Sequence, residues 1–378
     1  MERFGEFLLA ELWAAYKTAR KGKRYTVDEH RFELNAMENI IDLRDSIVRH
    51  YYKPNRGVAF IVHDPVTREI VAAPFRDRVV HHFLYNICGE WWDRRFLPDS
   101  YSCRRGKGTL YAQERMQKHL RQAIRSSTER RAYIAKLDLQ GYFMSLNHEK
   151  LYRRVAWGVD RQLEVGQNFN VRCAEEDRER LKQVLKYLWY EVIFDKPMQN
   201  ITIRGRRSDW RGLPATKSLF KQPAGQGIVI GNLTSQLLSN IFMDQFDRYV
   251  RFELGYKHYG RYVDDFFIIV PWERREQLLR DVPVMEKYLK REMDLTLHPK
   301  KRFLQEAGKG IPFVGAVIYE DCKIPGRRMR RNCYAAAYRL ATHGEGKIDG
   351  LVSRVGSMAH LDSQKFITKM LESFGWNE

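Results

Sequence analysis

Long apolar runs are missing from this chain. A membrane span needs ~20 apolar residues; the greasiest stretch, Phe266 to Val270, stops at Pro271. The N-terminal segment is charged and helical in pattern, with no apolar core of a secretory signal. Cysteine is sparse and dispersed: Cys88, Cys103, Cys173, Cys322 and Cys333 form no C-x-x-C pair. Such a set reads as free thiols and leaves no structural zinc site. His81-His82 comes nearest to a metal-binding histidine pair, but adjacent helical positions diverge by ~100°. GxGxxG and GxxxxGK[ST] are also absent, which argues against a dinucleotide fold or a P-loop NTPase. Acidic residues are in deficit, 47 against 66 Lys plus Arg, for a formal charge of +19. An excess that large calls for a polyanionic partner, nucleic acid before an anionic membrane. At 378 residues, 44% apolar and 30% charged, the composition is globular, with room for one large domain or two to three small ones. A secreted, collagenous or integral membrane protein is excluded, and a cytoplasmic location is expected.

Periodicity outlines the elements. Phe4, Leu8, Leu12 and Tyr16 recur every four residues and predict a first helix. A basic stretch, Arg20 to Arg24, ends it, and Thr26 with Glu29 has the spacing of a capping box before a second helical segment. Val58–Val62 and Glu69–Ala73 read as a hairpin around Asp64-Pro65. A helix follows from about Asp77 to Trp92, then a glycine-rich basic loop over 96–109, then a strand, Tyr133–Asp138. Residues 156–222 carry one amphipathic helix and a polar loop, and read as an insertion. A helix is expected from Thr234 to about Leu254, a hairpin of Tyr259–Val263 and Phe266–Val270, a helix over 273–293, a strand Phe313–Tyr319 and a helical, basic tail.

The tetrapeptide Tyr262-Val263-Asp264-Asp265 puts two adjacent carboxylates between two apolar strands, where only a hairpin turn exposes them. An Asp-rich turn alone is common. A third carboxylate, Asp138, ends the strand that begins at Tyr133 and precedes Leu139-Gln140-Gly141-Tyr142-Phe143. If the two segments share a sheet, three carboxylates converge at its edge. Like charges there need cations. Two Mg²⁺ ions answer that need, since oxygen-only ligands suit Mg²⁺, and the chemistry implied is in-line phosphoryl transfer.

Six segments in order carry a family resemblance. Arg68-Glu69-Ile70 with Pro74 to Arg78, Ser100 to Gly108, Asp138 to Phe143, Tyr262 to Asp265, Leu295 to Lys301 and Phe313-Val314-Gly315 resemble the successive motifs of reverse transcriptases. Where that family generally carries QGxxxSP, this chain has Ile230-Gly231-Asn232-Leu233-Thr234-Ser235-Gln236. Those replacements, Leu213 to Phe220 upstream and Ala15 to Tyr25, resemble the reverse transcriptases of diversity-generating retroelements.

The resemblance implies an α+β right-hand polymerase fold: an N-terminal helical extension over 1–50, fingers over 51–130, a palm from 131–155 and 223–315, an insertion at 156–222 and a short helical thumb over 316–378. It implies an RNA-directed DNA polymerase that copies a template-repeat RNA into cDNA with errors mainly at template adenines, for mutagenic retrohoming. Asp138, Asp264 and Asp265 are implied as catalytic, Asp138, Leu139, Asp264 and Asp265 as the binding set for two Mg²⁺ ions, and Lys301 as a proton donor to pyrophosphate. Arg104 and Lys107 would hold the dNTP triphosphate, and Phe143 would exclude a ribose 2′-OH. Ile230, Gly231, Gln236 and Tyr262 would line the nucleotide pocket. Ile230 removes a hydrogen-bonding group near the base pair, worth ~0.5–1.5 kcal/mol net, and is expected to lower fidelity. The implied partners are template RNA, the RNA–cDNA hybrid and a small basic, oligomeric accessory protein in a prokaryotic or phage-infected cell. Glu175-Glu176-Asp177 is a candidate docking patch for that protein. The segment after Gly315 is too short for an RNase H or a zinc-bearing endonuclease, so those activities are expected from other proteins. Two alternatives stay open: another prokaryotic reverse transcriptase (retron, intron-like or abortive-infection type), and a non-catalytic RNA-binding subunit with the same fold.

Overall fold

The computed structural model describes residues 2–22, 26–63, 66–164, 173–343 and 348–376. Lys23, Arg24, Tyr25 and the Asp64-Pro65 turn lie outside them, as do residues 165–172 of the expected insertion. Among the described residues the strands are β1 (Gly57–Val62), β2 (Arg68–Ala72), β3 (Ala132–Leu139), β4 (Ile201–Ile203), β5 (His258–Tyr262), β6 (Asp265–Pro271), β7 (Leu297–Glu306), β8 (Ile311–Phe313), β9 (Ala316–Ile318) and β10 (Lys323–Pro325). Helices and largely antiparallel sheets are mixed along the chain.

Two compact units result, each assembled from separate stretches. The first comprises Met1–Leu97, Leu139–Phe246 and Tyr288–Thr296; the second comprises Pro98–Asp138, Asp247–Lys287 and Leu297–Glu378. These boundaries cut across the segments expected as fingers (51–130) and palm (131–155 and 223–315).

In the first unit the opening helix Glu2–Ala19 buries the four residues of its apolar stripe, Phe4, Leu8, Leu12 and Tyr16. Tyr16 and Phe32 meet Phe75 edge-on, at 6.1 and 5.2 Å between ring centroids. The Thr26–Glu29 capping box does not form. Thr26 makes no side-chain cap bond to its helix, and Glu29 is fully buried near Arg20. Its neighbour Asp28 instead accepts the Phe75 N–H at 2.6 Å, satisfying a free donor at the start of helix Phe75–Arg95.

β1 pairs antiparallel with β2, as the hairpin pattern predicts, and parallel with β4. That second pairing ties the segment read as an insertion to the β1–β2 hairpin. β4 belongs to the 156–222 segment, and Glu69 on β2 fastens the loop that follows it. Buried Glu69 accepts bonds from Trp210 Nε1, Ser218 Oγ and the Leu219 N–H, each at 2.7 Å. A buried carboxylate needs such donors to offset its desolvation. The segment's helix, Arg178–Ile193, buries Leu181, Val184, Leu185 and Leu188 and packs on helix His148–Gln162.

In the second unit a four-stranded sheet runs in the order β5-β6-β3-β7. β7 lies at its edge, where Pro299 costs no interior ladder bond. One face is covered by helix Thr109–Ser126, whose Ala112, Met116, Leu120 and Ala123 share a core with Ile134, Phe267 and Ile269. Gly260 is required where that face is most crowded: a Cβ there would come within 2.4 Å of the Tyr101 hydroxyl and 2.6 Å of the Phe267 ring. The expected strand Phe313–Tyr319 is instead the hairpin of β8 and β9. It turns at Val314 (φ 37°) and Gly315 (φ 92°), because a positive φ cannot continue an extended strand. The expected helix to Leu254 runs as an α-helix to Arg248 and closes in a π turn over Tyr249–Glu253. The basic tail is helical, as expected: Arg327–His343, Ile348–Gly356 and Gln364–Glu372 meet around Cys333, Ala337, Met358 and Met370. All five cysteines are free thiols, and no helix of the described residues is long and apolar enough to cross a membrane.

His81, in the first unit, has a pH consequence. Its Nδ1 lies 2.8 Å from Thr234 Oγ1, and burial pushes its pKa down to about 3. As pH falls below the ordinary value near 6.5, the unfolded chain takes the proton and the folded one does not. His81 therefore makes stability fall on acidification, with a slope approaching ~1.4 kcal/mol per pH unit below pH 6. His81→Gln should flatten the slope between pH 7 and pH 5, as read by urea unfolding across that window.

Candidate active site

The β3–β6 register brings the acidic residues together. Asp138, near the end of β3, sits directly opposite Asp265, the first residue of β6, and Tyr262 of β5 is opposite Asp265 on the other side. Opposed residues of an antiparallel pair point to the same face. This is the face whose other end is filled by Ala132, Ile134, Phe267 and Ile269. Apolar packing thus covers one end and leaves the end bearing the carboxylates uncapped by core.

Only two residues, Val263 and Asp264, join β5 to β6. Val263 takes φ 59°, a left-handed conformation costly for a β-branched side chain, on the order of 1–3 kcal/mol. Two hydrogen bonds hold it. Its N–H donates to Ser102 Oγ at 3.2 Å, and its carbonyl accepts from Arg261 Nη1 at 2.9 Å. Asp264 is displayed as a result.

Burial first, and then the neighbouring Asp138 charge, push the Asp264 carboxyl up to about 6. Asp265 is pushed up by burial as well, but Lys136 opposes the shift. The Lys136 ammonium donates to both Asp265 oxygens at 3.0 Å. Lys301 on β7 donates to Asp138 Oδ1 at 2.8 Å. Each of these two carboxylates therefore has its own lysine, whereas Asp264 is raised first by burial and then by the Asp138 charge.

The β3–β6 register and the adjoining turn bring Asp138, Asp264 and Asp265 to one end of the sheet. Among the described residues no three His, Cys, Asp or Glu side chains form a group that could hold a metal ion. Lys136 pairs with both oxygens of Asp265, as Lys301 pairs with Asp138. Asp138 and Asp264 form an oxygen-only donor pair that interacts electrostatically across the turn. That pair fits a hard divalent cation, which takes the rest of its shell from water and phosphate oxygens. Leu139 is the buried last residue of β3, so only its main chain could serve as a ligand.

The other expected residues divide between the units. Arg104 and Lys107 stand with the carboxylates in the second unit, in the Pro98–Gly108 loop. Arg104 Nη1 donates to the Ser100 carbonyl at 3.0 Å and Lys107 Nζ to the Pro98 carbonyl at 2.5 Å, so both fold back onto their own loop. Phe143, Ile230, Gly231 and Gln236 belong to the first unit. Half-buried Phe143 lies in the short helix Tyr142–Ser145, and its carbonyl accepts the Ile228 N–H at 2.9 Å. The Ile230 carbonyl accepts the Val71 N–H at 3.0 Å, which docks this segment on β2. Gly231, at φ 132°, has no room for a Cβ, which would lie 2.9 Å from the Val71 carbonyl oxygen. Gln236 is exposed.

In the acidic patch expected to dock a partner, Glu175 and Glu176 are exposed and each lies in a surface ion pair. Glu176 pairs with Arg3 at 2.8 Å, Glu175 with Arg178 at 3.8 Å and buried Asp177 with Arg180 at 3.5 Å.

Sequence reasoning missed Lys136, Arg261 and Asp247. Lys136 had a signal: it precedes Asp138 by two, and period-two alternation puts both on one face. Arg261 also had one, as a charge inside an apolar strand pattern, which needs a buried partner.

No protein-family model and no curated protein matches the chain. A solved structure of telomerase from Candida albicans, in complex with a TWJ fragment of telomeric RNA, is similar at 12% identity and a TM-score of 0.47. The match covers 87% of this chain and 56% of that one, so this chain spans little more than half of the telomerase chain. The functional reading therefore rests on the carboxylate site itself.

Lys136→Met should push the Asp265 carboxyl further up, because burial would then act unopposed. A carboxyl ¹³C NMR titration of the metal-free protein, with aspartate labelled, reads this directly; an unmoved Asp265 would mean that the lysine does not hold it.

Proposed function

We propose that the chain is a nucleic-acid polymerase of the reverse-transcriptase type, and that the four-stranded sheet β5-β6-β3-β7 is its palm. The observation that carries this is the pair Asp138, near the end of β3, and Asp264, on the strained two-residue turn that leads into the neighbouring β6. When bound there, divalent magnesium would supply charge neutralisation for in-line transfer of a nucleotidyl group from a dNTP to a primer hydroxyl. The chain's own residues then have separable tasks. Asp138 and Asp264 supply the oxygens. Lys301, on Asp138, is placed to donate a proton or a charge-assisted hydrogen bond to a departing phosphate. Lys136 holds Asp265. Arg104 and Lys107 are the cations for the triphosphate, exchanging main-chain carbonyls for phosphate oxygens.

The charge distribution supports a nucleic-acid substrate. The helix Arg327–His343 exposes Arg327, Arg328, Arg330, Arg331 and Arg339 together with Tyr334 and Tyr338. Guanidinium groups interleaved with aromatic rings suit a phosphate backbone. In this reading the helix is part of the thumb, and residues from the first unit supply fingers and the remaining palm.

The narrower assignment, an error-prone enzyme of a diversity-generating retroelement, is supported by Ile230 and Gln236 in place of glutamine and proline. It carries with it a template-repeat RNA, an RNA–cDNA hybrid and a small basic accessory protein as partners. Phe143 is the candidate gate against ribonucleotides.

Reverse transcription of the native flanking RNA with Mg²⁺ and dNTPs tests both levels. Asp264→Asn should cut cDNA synthesis at least ~10³-fold while leaving the unfolding midpoint close to wild type; surviving activity would remove the site assignment. Deep sequencing of wild-type cDNA should show errors concentrated at template adenines, and Ile230→Gln should lower their frequency by about tenfold. Uniformly scattered errors would leave a polymerase and discard the retroelement assignment.

A further inference from the structure

Arg261 and Asp247 form a fully buried ion pair in the second unit. Their side chains are 0% and 1% exposed. Arg261 Nε and Nη2 meet Asp247 Oδ1 and Oδ2, both at 2.7 Å, in a two-pronged fork. Tyr259 O–H donates to Asp247 Oδ1 at 2.5 Å, and Arg261 Nη2 also reaches Ser100 Oγ at 3.1 Å. The Arg261 main chain is pinned too. Its N–H donates to the Asp99 carbonyl at 2.8 Å, and its carbonyl accepts the Tyr101 N–H at 3.0 Å.

Burying an ion pair is a poor way to gain stability, since apolar residues of similar volume do as well or better. This pair has another output. The remaining guanidinium nitrogen, Nη1, donates to the Val263 carbonyl, the peptide group immediately before Asp264. On the other side of the same residue, the Val263 N–H is held by Ser102 Oγ. Val263 sits in a conformation its side chain disfavours, so an unheld turn would relax and carry Asp264 with it. A guanidinium suits the task because its planar fork can fix a carboxylate and a carbonyl at once. An ammonium is a point charge and cannot hold both in fixed geometry.

We propose that Arg261 and Asp247 are positioning residues: anchored by Asp247, Arg261 grips the Val263 carbonyl from beneath the sheet and holds the strained turn, with Ser102 as the opposite jaw, so that Asp264 faces Asp138. The proposal deepens the polymerase reading and rests on it for its kinetic consequence. Its structural consequence is independent of that reading.

The test uses the full chain and two measurements. Hydrogen exchange of the Val263–Asp265 amides is followed in the metal-free protein, and steady-state primer extension is followed with Mg²⁺ and dNTPs. The variant Arg261→Met/Asp247→Leu leaves no unpaired buried charge, so its unfolding midpoint should stay near wild type. Its turn amides should exchange about tenfold faster. Its kcat should fall about a hundredfold, the usual consequence of misplacing a reacting group by about 1 Å, with the dNTP KM changed less than about threefold. Arg261→Lys, whose ammonium cannot hold both partners, should recover at most a small part of both kcat and the exchange protection. Ser102→Ala, a small change that removes the opposite jaw, should loosen the same amides and lower kcat without changing KM; it decides the matter should the double variant not fold. Wild-type kcat or unchanged turn exchange in these variants would overturn the proposal. If the wild-type protein shows no primer extension, the polymerase reading fails, and the exchange measurement alone then supports or overturns the positioning role.

Discussion

Burial of neighbouring carboxylates at one end of the β5-β6-β3-β7 sheet is the constraint on which the candidate site depends. The β3–β6 register sets Asp138 against Asp265, and a two-residue turn adds Asp264. Burial and the Asp138 charge raise Asp264 from an ordinary 3.8 to about 6. Such a shift corresponds to roughly 3 kcal/mol between its protonation states. Two lysines, one from the same strand and one from the sheet edge, offset the rest of the charge. Among the described residues no lysine pairs with Asp264, and in the proposed reading a divalent cation would neutralise its charge.

The strained turn is the second dependency. Asp264 can be displayed only because Val263 is left-handed, and Val263 stays so because its N–H and carbonyl are both engaged. The sheet supplies the rest of the rigidity. Helix Thr109–Ser126 packs one face, and Gly260 lets Tyr101 and Phe267 close over β5 without a Cβ between them. In the first unit Glu69 plays a comparable part, since its three donors fix a loop that carries no extended secondary structure. In both units a buried acid organises irregular backbone, at Asp247 and at Glu69.

Local pattern made much of this legible. The four-residue stripe of the first helix, the two hairpins and the position of Asp138 at a strand end follow from side-chain periodicity, which is a property of neighbours in sequence. The Thr26–Glu29 box does not form, and Glu29 is instead buried near Arg20, a partner nine positions away. Residues 156–222 read as an insertion because β4 is three residues long and pairs with a strand over 140 positions earlier. The β8–β9 hairpin was hidden in an apolar run whose turn, Val314-Gly315, shows one glycine and no other punctuation.

The amino-acid order by itself determined which residues can do chemistry. Three aspartates at turn and strand-end positions, a basic surplus of +19 and no zinc or nucleotide-loop motif leave few reactions available. The tertiary structure decided which cations those aspartates meet. Lys136 and Lys301 reach Asp265 and Asp138 only after β3, β6 and β7 lie side by side, and Arg261 can grip the turn only when Asp247, 14 positions away, is buried against it. Periodicity is short-ranged and survives in the sequence; charge pairing acts through space and appears only when the chain has folded.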